Sequence, residues 1–145
     1  MTGSDAKLVA GAVEGLVATL VSQRRAASDP EPGELSTFQA VALATVVDRG
    51  SMRLGSLAET LGTTDATASR TVDVLEGHGL ARRRPDPGDG RGVIVEASAE
   101  GKADVRRRRR RLERLAARAL GDLSHDEARR LAAALADLQA LLGRR

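Results

Sequence analysis

Apolar side chains recur at three- and four-residue spacing through much of the chain, which is the period of amphipathic helices. The pattern predicts a first helix over residues 5–27, and the segment 28–33, with two prolines and a glycine, ends it. A second helix begins after Ser36, which forms a capping-box pattern with Gln39, and Gly50 ends it. The N-terminal part of the chain is therefore predicted to be helical with one break.

Two short helices with a tight turn between them follow. Residues 54–61 form the first helix, and Gly62 closes it. Thr64 is placed to cap the second helix, residues 65–77, and Gly79 stands where a left-handed C-cap belongs. This pair has the layout of a helix-turn-helix, although a plain packed helical hairpin gives the same pattern.

The pattern then changes to short extended stretches. Residues 80–84 and 92–97 are predicted strands, and a loop over 85–91, with two prolines and two glycines, separates them. A basic β-hairpin directly after a helix-turn-helix is the layout of a winged helix. A helix fits the major groove of DNA, and a basic hairpin tip can lie on the neighbouring minor groove or backbone. The layout therefore predicts a partner of double-stranded DNA.

Two further helices complete the predicted elements. Ser98 caps a long helix over about 99–121, and Ser124 forms a second capping box with Glu127 at the start of a last helix to about 142. Leucines line this last helix at helical spacing. They have too few neighbours to be buried in a monomer, so we expect a homodimer.

Composition narrows the possible functions. The 145 residues suit one domain, and the 41% hydrophobic and 30% charged residues are ordinary for a globular protein. One Phe and no Tyr or Trp argue against a protein that stacks single-stranded bases. The absence of cysteine excludes disulfides and thiolate chemistry, and fits a cytoplasmic location. We expect no signal peptide and no membrane-spanning segment.

Charge is distributed unevenly along the chain. The net charge is +3, but residues 82–118 hold 13 Lys/Arg and 6 Asp/Glu, and the remaining residues have an acidic excess. A basic middle suggests a polyanionic partner, because neutralised phosphates release counterions. The alternative from charge alone is a solvated helix with charges on its surface.

Several strings resemble the multiple-antibiotic-resistance regulator (MarR) family: LAETLG, Arg70 in the following helix, LEGHGLARR, DPGDGR and the helix start SAEG. The resemblance covers residues 35–102 by motif, and the flanking helices match by layout. It implies a mainly α fold in a single domain, 1–145, with a small β-hairpin wing. Residues 35–97 would form the winged helix-turn-helix lobe, and residues 5–28 and 98–143 the dimerisation helices. It also implies a homodimeric regulator of palindromic promoter DNA, usually a repressor, often relieved by a small ligand.

The resemblance places the recognition helix at residues 65–77. Thr67 can bond a base or touch a thymine methyl, and Arg70 can reach a phosphate or a guanine. Thr64 caps the helix and can also bond a phosphate. The predicted DNA-binding residues here are Thr64, Asp65, Ala66, Thr67, Ser69 and Arg70. For Thr67 and Ser69, a solvent-exposed polar face is the alternative.

The predicted wing contributes four further DNA-binding residues. Arg91 matches the arginine of the family's wing tip, and Asp89 matches the carboxylate that steadies it. Arg82 and Arg84 share one side of a strand, and the pattern leaves open which side faces DNA.

Three positions depart from the family pattern. Gly90 replaces the first of two adjacent wing arginines, Asp65 puts a carboxylate at the tip of the recognition helix, and Thr71 stands where an apolar residue is usual. These departures suggest modest DNA affinity or an unusual recognised sequence. Gly90 and Asp65 also keep open an alternative function, a dimeric adaptor or ligand-sensing protein that does not bind DNA.

The arginine run 106–111 needs its own explanation. Arg108 and Arg109 fall on the apolar stripe of their helix, so we expect a carboxylate or a ligand anion near them. One interpretation is that both extend to solvent over the dimer surface. The other is a ligand site for an acidic effector. We expect no metal site, no cofactor and no enzymatic activity, because His78 and His125 are isolated and no catalytic constellation is present.

Overall fold

Residues 7–15 and 34–142 are the part of the chain that the computed structural model describes. The described part of the first helix, α1, is residues 7–15; the rest of the prediction for 5–27, the break at 28–33 and the end of the segment 98–143 lie outside it. The other elements are α2 (Thr37–Arg49), β1 (Met52–Arg53), α3 (Leu54–Leu61), α4 (Asp65–Gly77), β2 (Ala81–Asp86), β3 (Asp89–Ala97), α5 (Ala99–Ala119) and α6 (His125–Leu142). This confirms a mainly helical fold with a small hairpin.

Helix starts lie where the capping patterns predict them. Ser36 and Gln39 exchange hydrogen bonds, with the Ser36 N–H donating to Gln39 Oε1 at 2.8 Å. The N–H of Gly101 donates to Ser98 Oγ at 3.0 Å, and the N–H of Ser124 donates to a Glu127 carboxylate oxygen at 2.8 Å. Each bond satisfies a backbone or side-chain group that a bare helix end would leave without a partner.

Two glycines set the ends of the paired short helices. Gly62 has a φ of +62° and its N–H bonds back to the carbonyls of Ala58 and Glu59, and Gly79 has a φ of +69°. A side chain would be strained at such angles. The turn between α3 and α4 and the exit from α4 therefore depend on glycine, as predicted.

The sheet differs from the prediction in two ways. Its strand order is β1-β3-β2, and the two-residue β1, which pairs Met52 with Val95, was not predicted. The predicted loop over 85–91 is wrong, because β2 continues to Asp86 and β3 begins at Asp89. Pro85 is tolerated because β2 is an edge strand, and the Asp86 carboxylate accepts the Gly88 N–H at 2.9 Å, which tightens the turn.

The chain divides into two units, Met1–Val41 and Ala42–Arg145. The core of the second unit is aliphatic, and its largest fully buried side chains are Leu43, Val46, Leu57, Val72, Leu75 and Val95. Thr71 is also buried, and its hydroxyl donates to the Thr67 carbonyl at 2.9 Å. The polar departure from the family pattern is therefore satisfied within α4. Within the described residues, no helix is long and apolar enough to span a membrane.

The start of α5 packs directly on backbone at the end of α4. A Cβ on Gly101 would run into the carbonyl oxygen of Leu80 and lie 3.2 Å from Leu43 Cδ1. Ser98 strengthens this joint, since its N–H donates to the Leu80 carbonyl at 3.0 Å and its hydroxyl donates to the Gly79 carbonyl at 2.7 Å. Only glycine allows this approach.

We expect Gly101→Ala to lower the free energy of unfolding by about 3 kcal/mol, since backbone cannot retreat as a flexible side chain can. Gly77→Ala is the matched control, because a Cβ there meets nothing within 4 Å in α4. Denaturant unfolding of both variants is the measurement. Equal stability of the two would contradict the close contact at Leu80.

Candidate nucleic-acid interface

The N-terminal tip of α4 is exposed and carries the predicted base-reading residues. Thr64 caps the helix, and its hydroxyl accepts the Thr67 N–H at 3.2 Å and donates to Thr67 Oγ1 at 3.1 Å. The hydroxyl proton of Thr67 therefore stays available to a base or phosphate. Asp65, Ala66 and Arg70 are exposed beside it. An exposed helix tip with a hydroxyl donor and a guanidinium has the groups that read base edges in a major groove.

Arg91 lies exposed beyond the turn of the β2–β3 hairpin. The Asp89 carboxylate steadies its backbone, accepting the Arg91 N–H at 3.1 Å. Within the described residues neither Arg91 nor Arg70 makes an ion pair, so both guanidinium groups are available to phosphates. A Cβ on Gly90 meets nothing within 4 Å. Space therefore does not require glycine at this position.

One arginine on β2 holds the recognition helix to the hairpin. Arg83 Nη2 donates to the Ser69 carbonyl at 2.8 Å and to Ser69 Oγ at 3.1 Å. Its Nη1 pairs with Asp73 at 2.8 Å and also with Glu76, which accepts the Arg83 N–H at 2.7 Å. Ser69 is therefore half-buried and faces Arg83 rather than open solvent, and its role in DNA binding stays a prediction.

Sequence reasoning did not single out Arg83. The alternation of a strand does place it on the side opposite Arg82 and Arg84, and Ser69, Asp73 and Glu76 share a helix face by their spacing. Nothing local in the sequence says that these two faces meet.

Arg82 and Arg84 lie on the other side of β2 and share one carboxylate. Both Nε and Nη2 of Arg82 donate to Glu96 Oε2, at 3.1 and 3.0 Å, and Arg84 donates to Glu96 Oε1. These hydrogen bonds, from Arg84 first and then Arg82, hold the pKa of the Glu96 carboxyl below its ordinary value. Glu96 is therefore ionised at neutral pH and offsets half of the charge of the pair.

A buried carboxylate braces the base of the hairpin turn. Asp86 is 8% exposed and pairs with Arg53 of β1 at 2.6 Å, across the intervening strand β3. Gly92 on β3 leaves room for it, because a Cβ there would lie 2.9 Å from the Cβ of Asp86. This pair was also not predicted, because the residues are far apart in sequence and β1 was missed.

Arg108 and Arg109 each have a carboxylate partner, one of the two options expected from their place on the helix. Arg108 Nε donates to Asp104 at 2.6 Å, and Arg109 Nη2 donates to both oxygens of Asp48 at 2.6 and 2.7 Å. The Arg109 pair is about half exposed on both sides. Among the described residues, no group of three or more His, Asp or Glu side chains is placed to hold a metal ion.

The sequence matches known regulators over most of its length. The model of the MarR family matches residues 35–93. An HTH-type transcriptional regulator of Mycobacterium bovis is 33% identical over 127 residues, which are 88% of this chain and 87% of that protein.

Solved structures share the fold. A MarR family protein from Bacillus stearothermophilus has a TM-score of 0.82 at 20% identity, over 99% of each chain. The structure of Streptococcus pneumoniae FabT in complex with DNA has a TM-score of 0.73 at 15% identity, over 94% of this chain and 96% of that one. The winged-helix architecture is thereby confirmed.

We expect Glu96→Gln to tighten binding to duplex DNA, about tenfold at low salt, because it frees Arg82 and Arg84 for phosphates. Fluorescence anisotropy with a labelled duplex is the measurement. Glu14→Gln is the matched control, since it changes the net charge equally at an exposed position on α1. Equal tightening by both variants would contradict a local role of Glu96.

Proposed function

Because this chain belongs to the MarR family of DNA-binding transcriptional regulators, we propose that it is a homodimeric repressor of a palindromic promoter site. The observation that carries this proposal is a pair of exposed guanidinium groups, one on α4 and one on the β2–β3 hairpin, that make no ion pair within the described residues. Arg70 stands on the exposed face of α4, and Arg91 stands beyond the turn of the β2–β3 hairpin.

Each lobe would read one half of the site. The tip of α4 would enter the major groove, where Thr67 and Arg70 reach base edges, and Asp65 would accept a hydrogen bond from a cytosine amino group. Arg91 would lie over the adjacent minor groove or backbone. The structure of FabT in complex with DNA supports DNA binding by this fold.

Exposed leucines support the dimer. Leu112, Leu115, Leu120, Leu123, Leu131 and Leu135, on α5, α6 and the turn between them, are 37–64% exposed. An apolar surface of this kind usually marks an interface. In a symmetric dimer, this surface of one subunit would cover the same surface of the other. The two lobes would then be held at a fixed separation, as a palindrome requires.

A small organic anion is the class of effector that we propose. Arg109 is held by Asp48 in a half-exposed pair, which water screens and which a competing carboxylate can replace. Arg108 is the preceding residue of α5. An anion at these two residues would replace the link from α5 to α2, and it would shift the lobe between its states only if it binds one of them better.

Asp65 and Gly90 favour a second candidate, a dimeric adaptor on the same fold. A carboxylate at the helix tip repels phosphates, and Gly90 removes one wing cation. The two candidates differ in DNA affinity. A regulator binds DNA with an affinity that falls steeply with salt, and an adaptor does not.

We expect Arg70→Ala and Arg91→Ala each to weaken operator binding by roughly 1–3 kcal/mol, about fivefold to 150-fold. Loss of Arg91 should matter most where the flanking minor groove is narrow and rich in A·T.

The operator would first be selected from genomic fragments with purified protein. Gly90→Arg should have the opposite effect and tighten operator binding, since it adds a second arginine to the wing. Unchanged affinity in all three variants would contradict the proposed interface.

We expect the protein to have twice the chain mass of 15.2 kDa in solution. Leu112→Lys, at a site 64% exposed in the single chain, should shift it toward the monomer and weaken operator binding. Phe38→Lys on α2, at a site 39% exposed, is the control and should leave the mass unchanged. Sedimentation at several concentrations measures the mass, and a monomeric wild type would contradict the dimer.

A further inference from the structure

The positive charge of this DNA-binding protein is not on the lobe that reads DNA. Residues 35–97 carry seven Lys/Arg and eight Asp/Glu, so the winged-helix lobe has a formal net charge of −1. Residues 99–119, which form α5, carry nine Lys/Arg and three Asp/Glu, a net charge of +6. Affinity for a phosphate backbone depends on cations, and most of the excess lies on α5.

Ion pairs reduce the charge available on the lobe further. Arg53, Arg82, Arg83 and Arg84 are each engaged by carboxylates. Within the described residues this leaves Arg49, Arg70 and Arg91 of the lobe without an ion pair. In the proposed dimer the two lobes would supply six such cations, the lower end of the six to ten phosphate contacts of a steeply salt-dependent protein, so cations outside the lobe would add to binding.

The cations of α5 form an ordered row. They recur at every fourth position, all of them are exposed, and within the described part of the chain none makes an ion pair; they are Lys102, Arg106, Arg110, Arg114 and Arg118. Positions four apart are about 6 Å apart along the helix axis and about 40° apart around it, so the row winds about 160° around α5. We call this row the cationic face of α5, and it is about 24 Å long.

The middle of the cationic face points away from the protein core. Gly101 and Val105 are the buried residues of α5, and Arg110 and Arg114 lie on the opposite side of the helix by its 100° step. Within the described residues, the acidic residues of α5 make no ion pair with the row. Glu100 and Asp104 pair with Arg107 and Arg108, and Glu113 makes no ion pair within the described residues.

We propose that the cationic face of α5 binds the phosphate backbone of duplex DNA, outside the contacts that read bases. A row of separate charges matches a linear polyanion, whereas a small anion needs cations that converge on one point. Duplex DNA carries one charge per about 1.7 Å of its axis, so a 24 Å row spans many phosphates. This inference rests on the DNA binding of the proposed function and adds a second contact surface to it.

The test compares two pairs of substitutions that change the net charge equally. Arg106→Gln with Arg110→Gln alters the cationic face, and Arg129→Gln with Arg130→Gln alters two exposed arginines of α6. Binding of the full chain to a random-sequence duplex is measured by anisotropy between about 50 and 200 mM salt. A random sequence needs no operator, so failure here is distinct from failure of the proposed site-specific function.

We expect the α5 variant to bind about tenfold more weakly at the lowest salt, with a salt slope shallower by about two per chain. The α6 variant should bind like the wild type. Equal weakening of both variants would reduce the effect to net charge and overturn the proposal, as would no weakening of either. If the α5 variant lost only binding to polyglutamate, the face would belong to an acidic protein partner, and the DNA assignment would be wrong.

Discussion

The recognition helix keeps its orientation relative to the hairpin through the side chain of Arg83. The guanidinium group contacts one carbonyl, one hydroxyl and two carboxylates along a single face of α4. The backbone N–H of Arg83 adds a further hydrogen bond to Glu76. The side chain is only 23% exposed, so water screens these bonds less than those of a surface pair. Charged hydrogen bonds in such settings contribute about 1.5–3 kcal/mol each. These contacts therefore tie the helix to the wing strand at several points.

The alternation of the β2 strand separates two tasks among three consecutive arginines. Arg83 faces the helix and fixes geometry, while Arg82 and Arg84 face the other way and share Glu96. Since Glu96 offsets one of their two charges, the wing keeps a moderate positive charge. In the proposed DNA complex, a moderate wing charge would limit binding to wrong sequences, because nonspecific affinity follows the number of phosphate contacts.

The sequence predicts those features whose partners are close along the chain. Ser36, Ser98 and Ser124 cap helices as expected, because a cap bonds a backbone group only two or three residues away. Glycines at 62 and 79 end helices for an equally local reason, the steric cost of positive φ. The two-residue β1 has no local pattern, since it exists only by pairing with β3. The partner of Arg109 is 61 residues away, and no spacing rule reaches that far.

The backbone contact at Gly101 makes α5 a lever. The helix is fastened to the lobe at its first turns, where Ser98 and Gly101 meet Gly79 and Leu80. Its 21 residues extend about 31 Å from that joint. By simple trigonometry on that length, a tilt of about 5° at the fastened end displaces the far end by roughly 3 Å. In the proposed dimer, a small event beside the joint would thereby become a larger movement of the distant leucines, and a change in subunit spacing would return to the lobe as a fine rotation.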